Sequence, residues 1–199
     1  MKNDTDDRLK RQLDFILKID QEKNILRRNH LTDGGRLEND AEHAWHMAVM
    51  AYLLREYSNE PIDIGKTLIM CLIHDIVEIE AGDTYAYDEA GKADQAQREQ
   101  VAKDKLFSLL PPDQRDELSA LFDEFEAQET PEARFARAMD NLQPLLLNNS
   151  NDGQDWKIHS VKASQVRARQ SRTKPGSQTL WELSERIIED NTAKGNLPA

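Results

Sequence analysis

Residues 62–79 read IDIGKTLIMCLIHDIVEI, and this apolar stretch sets a histidine beside an aspartate at positions 74 and 75. The apolar residues predict a buried helix that Asp63 caps at its start, with the pair near its C-terminal end. Burying an imidazole next to a carboxylate costs free energy unless a partner compensates both groups. The pair therefore indicates either an internal salt bridge between His74 and Asp75 or a cation that both side chains bind.

The rest of the chain shows the same helical periodicity, and no segment has the alternating pattern of a strand. We therefore predict an all-α protein of seven to nine helices, folded as a single domain over residues 1–199. Its core should span about residues 9–147, followed by a C-terminal helical extension over about residues 155–195. Pro144 should kink its helix or end it early. Residues 81–91 should form a loop, and Trp45 should lie in the core.

Composition limits the classes of function. The 199 residues are 38% hydrophobic and 32% charged, with a net charge of −11. This balance argues against a nucleic-acid polymer or an anionic membrane as partner, so an anionic substrate would need a local cluster of Arg or Lys. Cys71 is the only cysteine, so it forms no internal disulfide and is expected to be a small buried side chain. The start of the chain has no apolar signal region, and no apolar run reaches the roughly 20 residues that span a bilayer. We expect a cytoplasmic protein.

Two further polar residues on core-facing helices extend the pair to a tetrad. His43 lies upstream, and Asp140 lies between Met139 and Leu142. Each residue alone has an ordinary explanation: a histidine with internal partners, or for Asp140 an ion pair with Arg137 or Arg36. Two histidines and two aspartates on three helices that can converge favour a metal site. His46, one turn after His43, is expected to be structural or to support the ligands.

The type of ligand narrows the choice of metal. Imidazole and carboxylate without thiolate suit a divalent Mn, Co, Fe, Ni, Zn or Mg ion better than a structural zinc site. Four protein ligands in a six-coordinate shell leave two positions for water or substrate. The remaining histidines do not have the spacing of a second histidine-rich site, so we expect one metal ion.

Four segments carry a resemblance to a known family. They are RLENDAEH at residues 36–43, HDIVE at 74–78, AGDT at 81–84, and Asp140. Their order resembles the HD-domain metal-dependent phosphohydrolase superfamily, and within it the branch of bacterial 5'-deoxynucleotidases and their eukaryotic relatives. The resemblance covers about residues 9–147 and implies a helical bundle with His43, His74, Asp75 and Asp140 as metal ligands.

Two acidic residues follow the predicted ligands. Glu78 lies three positions after Asp75, so a continuous helix would place it on a neighbouring face. A carboxylate there can orient or deprotonate an attacking water, and the resemblance implies this role for Glu78. Asp83 is the second catalytic candidate, for orienting the water or protonating the leaving oxygen, although a loop cap formed with Thr84 explains it equally well.

The substrate side is expected to be basic and aromatic. Arg27, Arg28 and Arg36 form a basic patch before His43, and a guanidinium can bind two phosphate oxygens at once. The resemblance assigns phosphate binding to Arg28 and Arg36, whereas Arg27 and Arg28 could also simply solvate a helix end. Tyr85 and Tyr87 are candidates for the wall of a pocket.

We therefore predict a divalent-metal-dependent phosphomonoesterase acting on a small phosphorylated molecule. A nucleoside 5'-monophosphate such as a deoxynucleotide is the expected substrate, and a homodimer is the expected assembly. Two other hypotheses stay open: a metal-bound nucleotide or phosphate sensor without turnover, and a structural helical module whose His–Asp pairs are salt bridges.

Overall fold

The computed structural model describes residues 2–88 and 91–198. Helices dominate this part of the chain, and two short strands, β1 (Leu26–His30) and β2 (Leu37–Asn39), pair antiparallel with Leu26 opposite Asn39. The α-helices, numbered in chain order, are α1 Lys2–Ile19, α2 Asp40–Leu54, α3 Ile64–Ile73, α4 Glu78–Ala81, α5 Gln95–Phe107, α6 Pro112–Ala127, α7 Pro131–Ser150, α8 Gln154–Ile158, α9 Ala163–Gln170 and α10 Gln178–Ala193. Short 3₁₀ turns cover Asp20–Asn24, Arg55–Tyr57, Gly91–Ala93 and Ser171–Thr173.

The all-α prediction is confirmed, but three details differ. The described residues form ten α-helices rather than seven to nine, because α4 and α8 are too short to show a period. The small sheet was not expected, since LRRNH of β1 is polar and does not alternate. Helix α7 continues past Pro144 to Ser150, so it does not end early, and the alternative expectation of a kink at Pro144 stays a prediction. The predicted loop over residues 81–91 is irregular from Gly82 to Asp88, and its residues 89 and 90 lie outside the described part.

Helix α7 is the centre of the main core. It contributes Phe135, Met139 and Leu142, all fully buried, and packs against α2 and α3 on one side. Helices α9 and α10 cover another side of it through Val166 and Ile188. Asp140 therefore projects from a helix that is enclosed by other elements, which fixes its position.

A second core joins the start of the chain to the middle. Phe15 of α1 packs near Phe107 of α5, and Phe107 packs edge-on against Phe122 of α6. Ile76 and Val77, which follow the His74–Asp75 pair, belong to the same cluster. The pair thus lies between two apolar cores, and Cys71 is buried as expected.

One prediction about an aromatic residue fails at the surface. Trp45, which was assigned to the core, is 64% exposed on α2. Its helix turns Met47, Met50 and Ala51 inward instead, so the aromatic residue falls on the outer face. None of the helices in the described residues has the length and apolar character needed to cross a membrane.

Candidate metal centre

Local sequence signals position each member of the tetrad. Asn39 caps α2 by accepting a hydrogen bond from the Glu42 backbone N–H at 3.0 Å, and the Glu42 carboxylate accepts one from the Asn39 backbone N–H at 3.2 Å. These two bonds fix the start of the helix one turn before His43. Asp63 caps the start of α3, and His74 is the C-cap residue that directly follows its last residue, Ile73. Asp75 lies in the turn that follows, and Asp140 lies in the middle of α7.

The structure brings all four predicted metal ligands together. The ligand atoms of His43, His74 and Asp75 lie within 4.8 Å of one another. The Nε2 atom of His74 is 3.0 Å from Asp75 Oδ2, and the Nε2 atom of His43 is 3.9 Å from the same oxygen. Asp140 Oδ1 lies 3.3 Å from His43 Nε2 and 3.9 Å from His74 Nε2. Two imidazole nitrogens and two carboxylates therefore face a common centre.

Hydrogen bonds decide which imidazole nitrogens are free to bind a cation. His74 Nδ1 lies 2.9 Å from the carbonyl oxygen of Cys71, which only accepts, so Nδ1 carries the proton. His43 Nδ1 donates to Gln143 Oε1 at 3.0 Å, and Gln143 Nε2 donates to Glu38 Oε1 at 2.6 Å, which fixes the orientation of the amide. Both Nε2 atoms are buried without a hydrogen-bond partner in the described structure.

The protonation of the two Nε2 atoms shows whether the histidines fit a cation. Burial lowers the pKa of His43 to about 4, so its Nε2 stays unprotonated against Asp140 Oδ1. Burial opposes protonation of His74 too, but the carboxylates of Asp75 and Asp140 outweigh it and raise its pKa. A charged His74 would account for the contact with Asp75, which was the alternative expected from the sequence. A charged His74 would still leave the lone pair of His43 Nε2 facing the carboxylate of Asp140. A bound cation would accept the lone pairs of both histidines.

Arginines hold the two aspartates ionised. Arg27 Nη1 donates to Asp75 Oδ2 at 2.7 Å, and Arg137 Nη1 donates to Asp140 Oδ2 at 3.0 Å. Although burial opposes ionisation, nearby histidines and arginines lower the pKa of both carboxyl groups. The ion pair with Arg137 that was the alternative explanation for Asp140 is thus present, and it leaves Asp140 Oδ1 facing the histidines.

Glu78 lies beside this centre, but it does not lie on the same continuous helix as His74, contrary to the sequence prediction. Helix α3 ends at Ile73, a turn carries His74 to Val77, and Glu78 begins α4. Burial and the nearby carboxylates of Asp75, Asp40 and Asp83 raise the pKa of Glu78 well above its usual range. Its Oε2 atom has no hydrogen-bond partner in the described residues.

A cleft with a cavity volume of about 160 Å³ opens beside Asp75 and Asp140. The predicted catalytic residues Glu78 and Asp83 line it, together with Tyr85 and Tyr87. Gly82, with a φ of 78°, ends α4 and turns the chain toward Asp83. Burial raises the pKa of Asp83, so its carboxyl retains a proton at a higher pH than a solvated aspartate.

The two arginines predicted to bind phosphate lie in different places. Arg28 lines the cleft, whereas Arg36 is 58% exposed and forms two hydrogen bonds with Glu42 outside it. Arg27 is occupied by Asp75 and Asp40. The sequence reasoning missed the C-terminal residues Trp156, Arg169 and Arg172, which also line the cleft. The cluster of basic residues over positions 167–174, in a chain with a net charge of −11, was the signal that could have indicated them.

Comparison with known proteins agrees with this architecture. A family model described as HD domain matches residues 19–181. The crystal structure of a predicted metal-dependent phosphohydrolase from Magnetospirillum magnetotacticum MS-1 is 48% identical, with a TM-score of 0.92 over 96% of both chains.

Curated relatives match a shorter part of the chain. The 5'-deoxynucleotidase HDDC2 of Homo sapiens is 32% identical over 111 residues, which are 56% of this chain and 53% of the human protein. The 5'-deoxynucleotidase hdd1 of Schizosaccharomyces pombe is 27% identical over 112 residues, 54% of this chain and 55% of the yeast protein. The chain thus spans about half the length of the curated relatives it matches. Because the family model covers most of the chain and fits the helices that carry the tetrad, the chain belongs to the HD domain family.

Proposed function

We propose that the protein is a divalent-metal-dependent phosphomonoesterase. The observation that carries this proposal is the pair of buried Nε2 atoms of His43 and His74, which face the carboxylates of Asp75 and Asp140 at one end of an arginine-lined cleft. The relatives named 5'-deoxynucleotidase and the structural neighbour named a metal-dependent phosphohydrolase support the same chemistry.

The four residues of the tetrad would hold one divalent ion, with Mn, Co, Fe, Ni, Zn and Mg as candidates. The donors are nitrogen and oxygen, and the sulfur of the buried Cys71 is not among the grouped ligands. When bound, such an ion supplies Lewis acidity, which makes water more acidic and withdraws negative charge from a phosphoryl oxygen.

The proposed roles of the other residues follow from their positions. Glu78, as a carboxylate, accepts a proton from the attacking water, whose oxygen forms the new bond to phosphorus. Asp83, which lines the same cleft, in its protonated form donates a proton to the ester oxygen as its bond to phosphorus breaks. Arg28 binds phosphate oxygens through its guanidinium, and Arg36 stays a predicted second phosphate ligand that would first have to leave Glu42.

We propose a nucleoside 5'-monophosphate, with deoxynucleotides first, as the substrate. The printed names of the curated relatives favour it. The edges of Tyr85 and Tyr87, whose ring centroids are 5.3 Å apart, give the cleft an aromatic wall against which a base can pack. A cytoplasmic location stays a prediction from the sequence.

We also propose a homodimer. Helix α2 exposes Trp45, Val49, Tyr52 and Leu53 along one face, and α1 exposes a stripe of its own. The stripe on α1 consists of Leu9, Leu13, Ile16 and Leu17. Contiguous exposed apolar residues mark association surfaces, and a second copy of the chain would cover them.

A phosphate-release screen tests the proposed activity. Purified protein loaded with Mn, Co, Mg or Zn in parallel is assayed on nucleoside 5'-monophosphates, 3'-monophosphates and sugar phosphates. We expect release from 5'-monophosphates, and a loss of about 100-fold or more in kcat for Glu78→Gln, since general base catalysis contributes factors of this size. Glu189→Gln, a matched change on the exposed side of α10, should leave the rate unchanged.

Two results would overturn the proposal. One is the absence of release from every ester by wild-type protein that carries metal, and the other is an equal rate for Glu78→Gln and Glu189→Gln. Tight binding of a nucleotide without release of phosphate would identify the sensor instead.

A further inference from the structure

Two arginines from the C-terminal segment line the same cleft as Arg28. Arg169 lies on α9, and Arg172 lies in the 3₁₀ turn that follows it. The side chain of neither Arg28 nor Arg172 forms a hydrogen bond or an ion pair within the described part of the chain. The chain carries 37 acidic and 26 basic residues, so unpaired guanidinium groups directed at one cleft indicate a site for an anion.

The other cleft arginines serve different purposes. Arg27 is held by Asp75 and Asp40, and Arg137 is held by Asp140 and by Glu126 at 2.8 Å. Arg169 is intermediate, because its Nη2 atom lies 3.4 Å from Asp140 Oδ1 and its remaining donors stay open. Arg172 and Arg28 are therefore the cleft arginines available to a ligand, and Arg169 connects them to the metal centre.

The backbone that carries Arg169 and Arg172 is fixed to α7. Gln170, which lies between them and is buried, donates through Nε2 to the carbonyl oxygen of Asn141 at 2.5 Å. Its Oε1 atom accepts hydrogen bonds from Thr173 and Ser184, both at 3.2 Å. Asn141 is the neighbour of Asp140, so the two arginines are positioned relative to a predicted metal ligand and not on a free loop.

The strand that carries Arg28 is also fixed to the body of the protein. The backbone N–H of His30 donates to Asp155 Oδ2 at 2.9 Å, which ties β1 to the buried start of α8. Both arms act electrostatically on Asp83 and Tyr85. Burial raises the pKa of each of these two side chains, whereas the positive charges of Arg28 and Arg169 lower it. The arginines of the two ends of the chain thus act on the same part of the cleft.

We propose that Arg172, with Arg169, forms the C-terminal arm of an anion clamp whose other arm is Arg28, and that this clamp binds the phosphate dianion of a phosphomonoester. The proposal rests on the proposed function for the identity of the ester. It extends that function by making residues 169–172, outside the predicted core of about residues 9–147, part of the substrate site. Two unpaired guanidinium groups that line one cleft can both donate hydrogen bonds to the terminal oxygens of a single phosphoryl group.

Binding of inorganic phosphate to the metal-loaded protein tests the clamp without requiring turnover. Isothermal titration at constant ionic strength is performed on wild type, Arg172→Gln, Arg28→Gln and the double variant. We expect each single change to weaken phosphate binding about tenfold, the usual effect of losing a charged hydrogen bond. Arg172→Lys keeps the charge without the fork and should recover only part of the loss.

Arg167→Gln is the matched control. Arg167 lies on α9 as well, but pairs with Glu185 at 2.9 Å and does not line the cleft, so the change removes the same charge elsewhere on the helix. Melting temperatures check that every variant folds, which we expect because Arg28 and Arg172 are exposed and have no internal partner.

The outcomes separate the clamp from the activity. If Arg172→Gln and Arg28→Gln bind phosphate as Arg167→Gln does, the clamp is overturned, even when wild type hydrolyses esters. If wild type releases no phosphate from any ester while Arg172→Gln loses affinity for phosphate, the proposed function falls and the clamp stands. An increase in KM of about tenfold for Arg172→Gln, with kcat preserved, supports both.

Discussion

At the scale of single residues, metal binding depends most on the orientation of the His43 and His74 rings, whose Nε2 atoms must face the centre. Gln143 accepts from His43 Nδ1, donates to Glu38 and lies 3.2 Å from His46 Nδ1. One amide thus sets the tautomer and rotation of a predicted ligand, and His46 supports the network as expected for a residue behind the ligands. Residues in this position typically change metal affinity by 10- to 100-fold.

Replacing this amide should weaken metal binding. In Gln143→Leu the His43 ring loses the acceptor that holds its proton on Nδ1, so we expect an affinity for Mn²⁺ about tenfold or more lower, measured by isothermal titration. Gln178→Leu, at the exposed start of α10, is the control for the same substitution. Equal affinities of the two variants would show that Gln143 does not orient a ligand.

Buried carboxyl groups near the centre should make stability depend on pH. Burial, with smaller effects of Asp75 and Asp40, raises the pKa of Glu22 from 4.5 to about 7. The folded state therefore keeps this proton where the unfolded state has lost it, so the contribution of Glu22 to the free energy of unfolding is most favourable below pH 4.5 and falls as the pH rises toward 7. The loss is about 1.4 kcal/mol per pH unit over the middle of this range.

Glu22→Gln removes this titration while keeping the shape of the protonated side chain. Urea unfolding in the presence of a chelator should show that the variant gains stability over wild type, by roughly 3 kcal/mol between pH 4.5 and pH 7.5. Glu189→Gln, on the exposed face of α10, should follow the wild-type curve. A constant difference between Glu22→Gln and wild type at all pH values would contradict the raised pKa.

At the scale of elements, the sequence predicted what depends on periodicity and capping. The predicted start of α3 after Asp63 is confirmed, because this side chain accepts a backbone N–H group. Asn39 caps the start of α2 in the same way. The turn over residues 74–77 was not predicted, because Ile76 and Val77 continue the apolar pattern of α3. They instead enter the second core beside Phe107, so tertiary packing overrides the local period.

The cap of α2 should contribute measurably to stability. Asn39→Ala removes the acceptor for the Glu42 N–H, and we expect a decrease of about 1 kcal/mol in the free energy of unfolding. Asn24→Ala, at an exposed position before β1, controls for the loss of an asparagine side chain. Chemical denaturation of both variants measures the difference, and equal stabilities would mean that water replaces the cap without cost.

At the scale of the whole molecule, the cleft combines segments that are far apart in the chain. The sequence could predict Asp75 and Asp140 because polar residues in apolar helices stand out. It could not predict that Arg169 lies beside Asp140, since the contact depends on the packing of α9 against α7. The division into a core over about residues 9–147 and an extension over about 155–195 stays a prediction.

The proposed dimer predicts a concentration-dependent assembly. Leu53→Lys and Leu17→Lys place charges on the exposed apolar stripes of α2 and α1, so at least one should shift sedimentation velocity from dimer to monomer at micromolar concentration. Val101→Lys, on the exposed side of α5, should not. A monomer for wild type at all concentrations would exclude the homodimer.

The proposed site is built around one cation held by His43, His74, Asp75 and Asp140. The number of metal ions bound per chain measures the presence of this cation directly. Protein incubated with Mn²⁺, Co²⁺ or Zn²⁺ and freed of excess ion is analysed for bound metal, beside His74→Leu and the control His159→Leu. We predict about one ion per chain in wild type and His159→Leu and almost none in His74→Leu. Wild type without stoichiometric metal, or His74→Leu that retains it, would contradict the account.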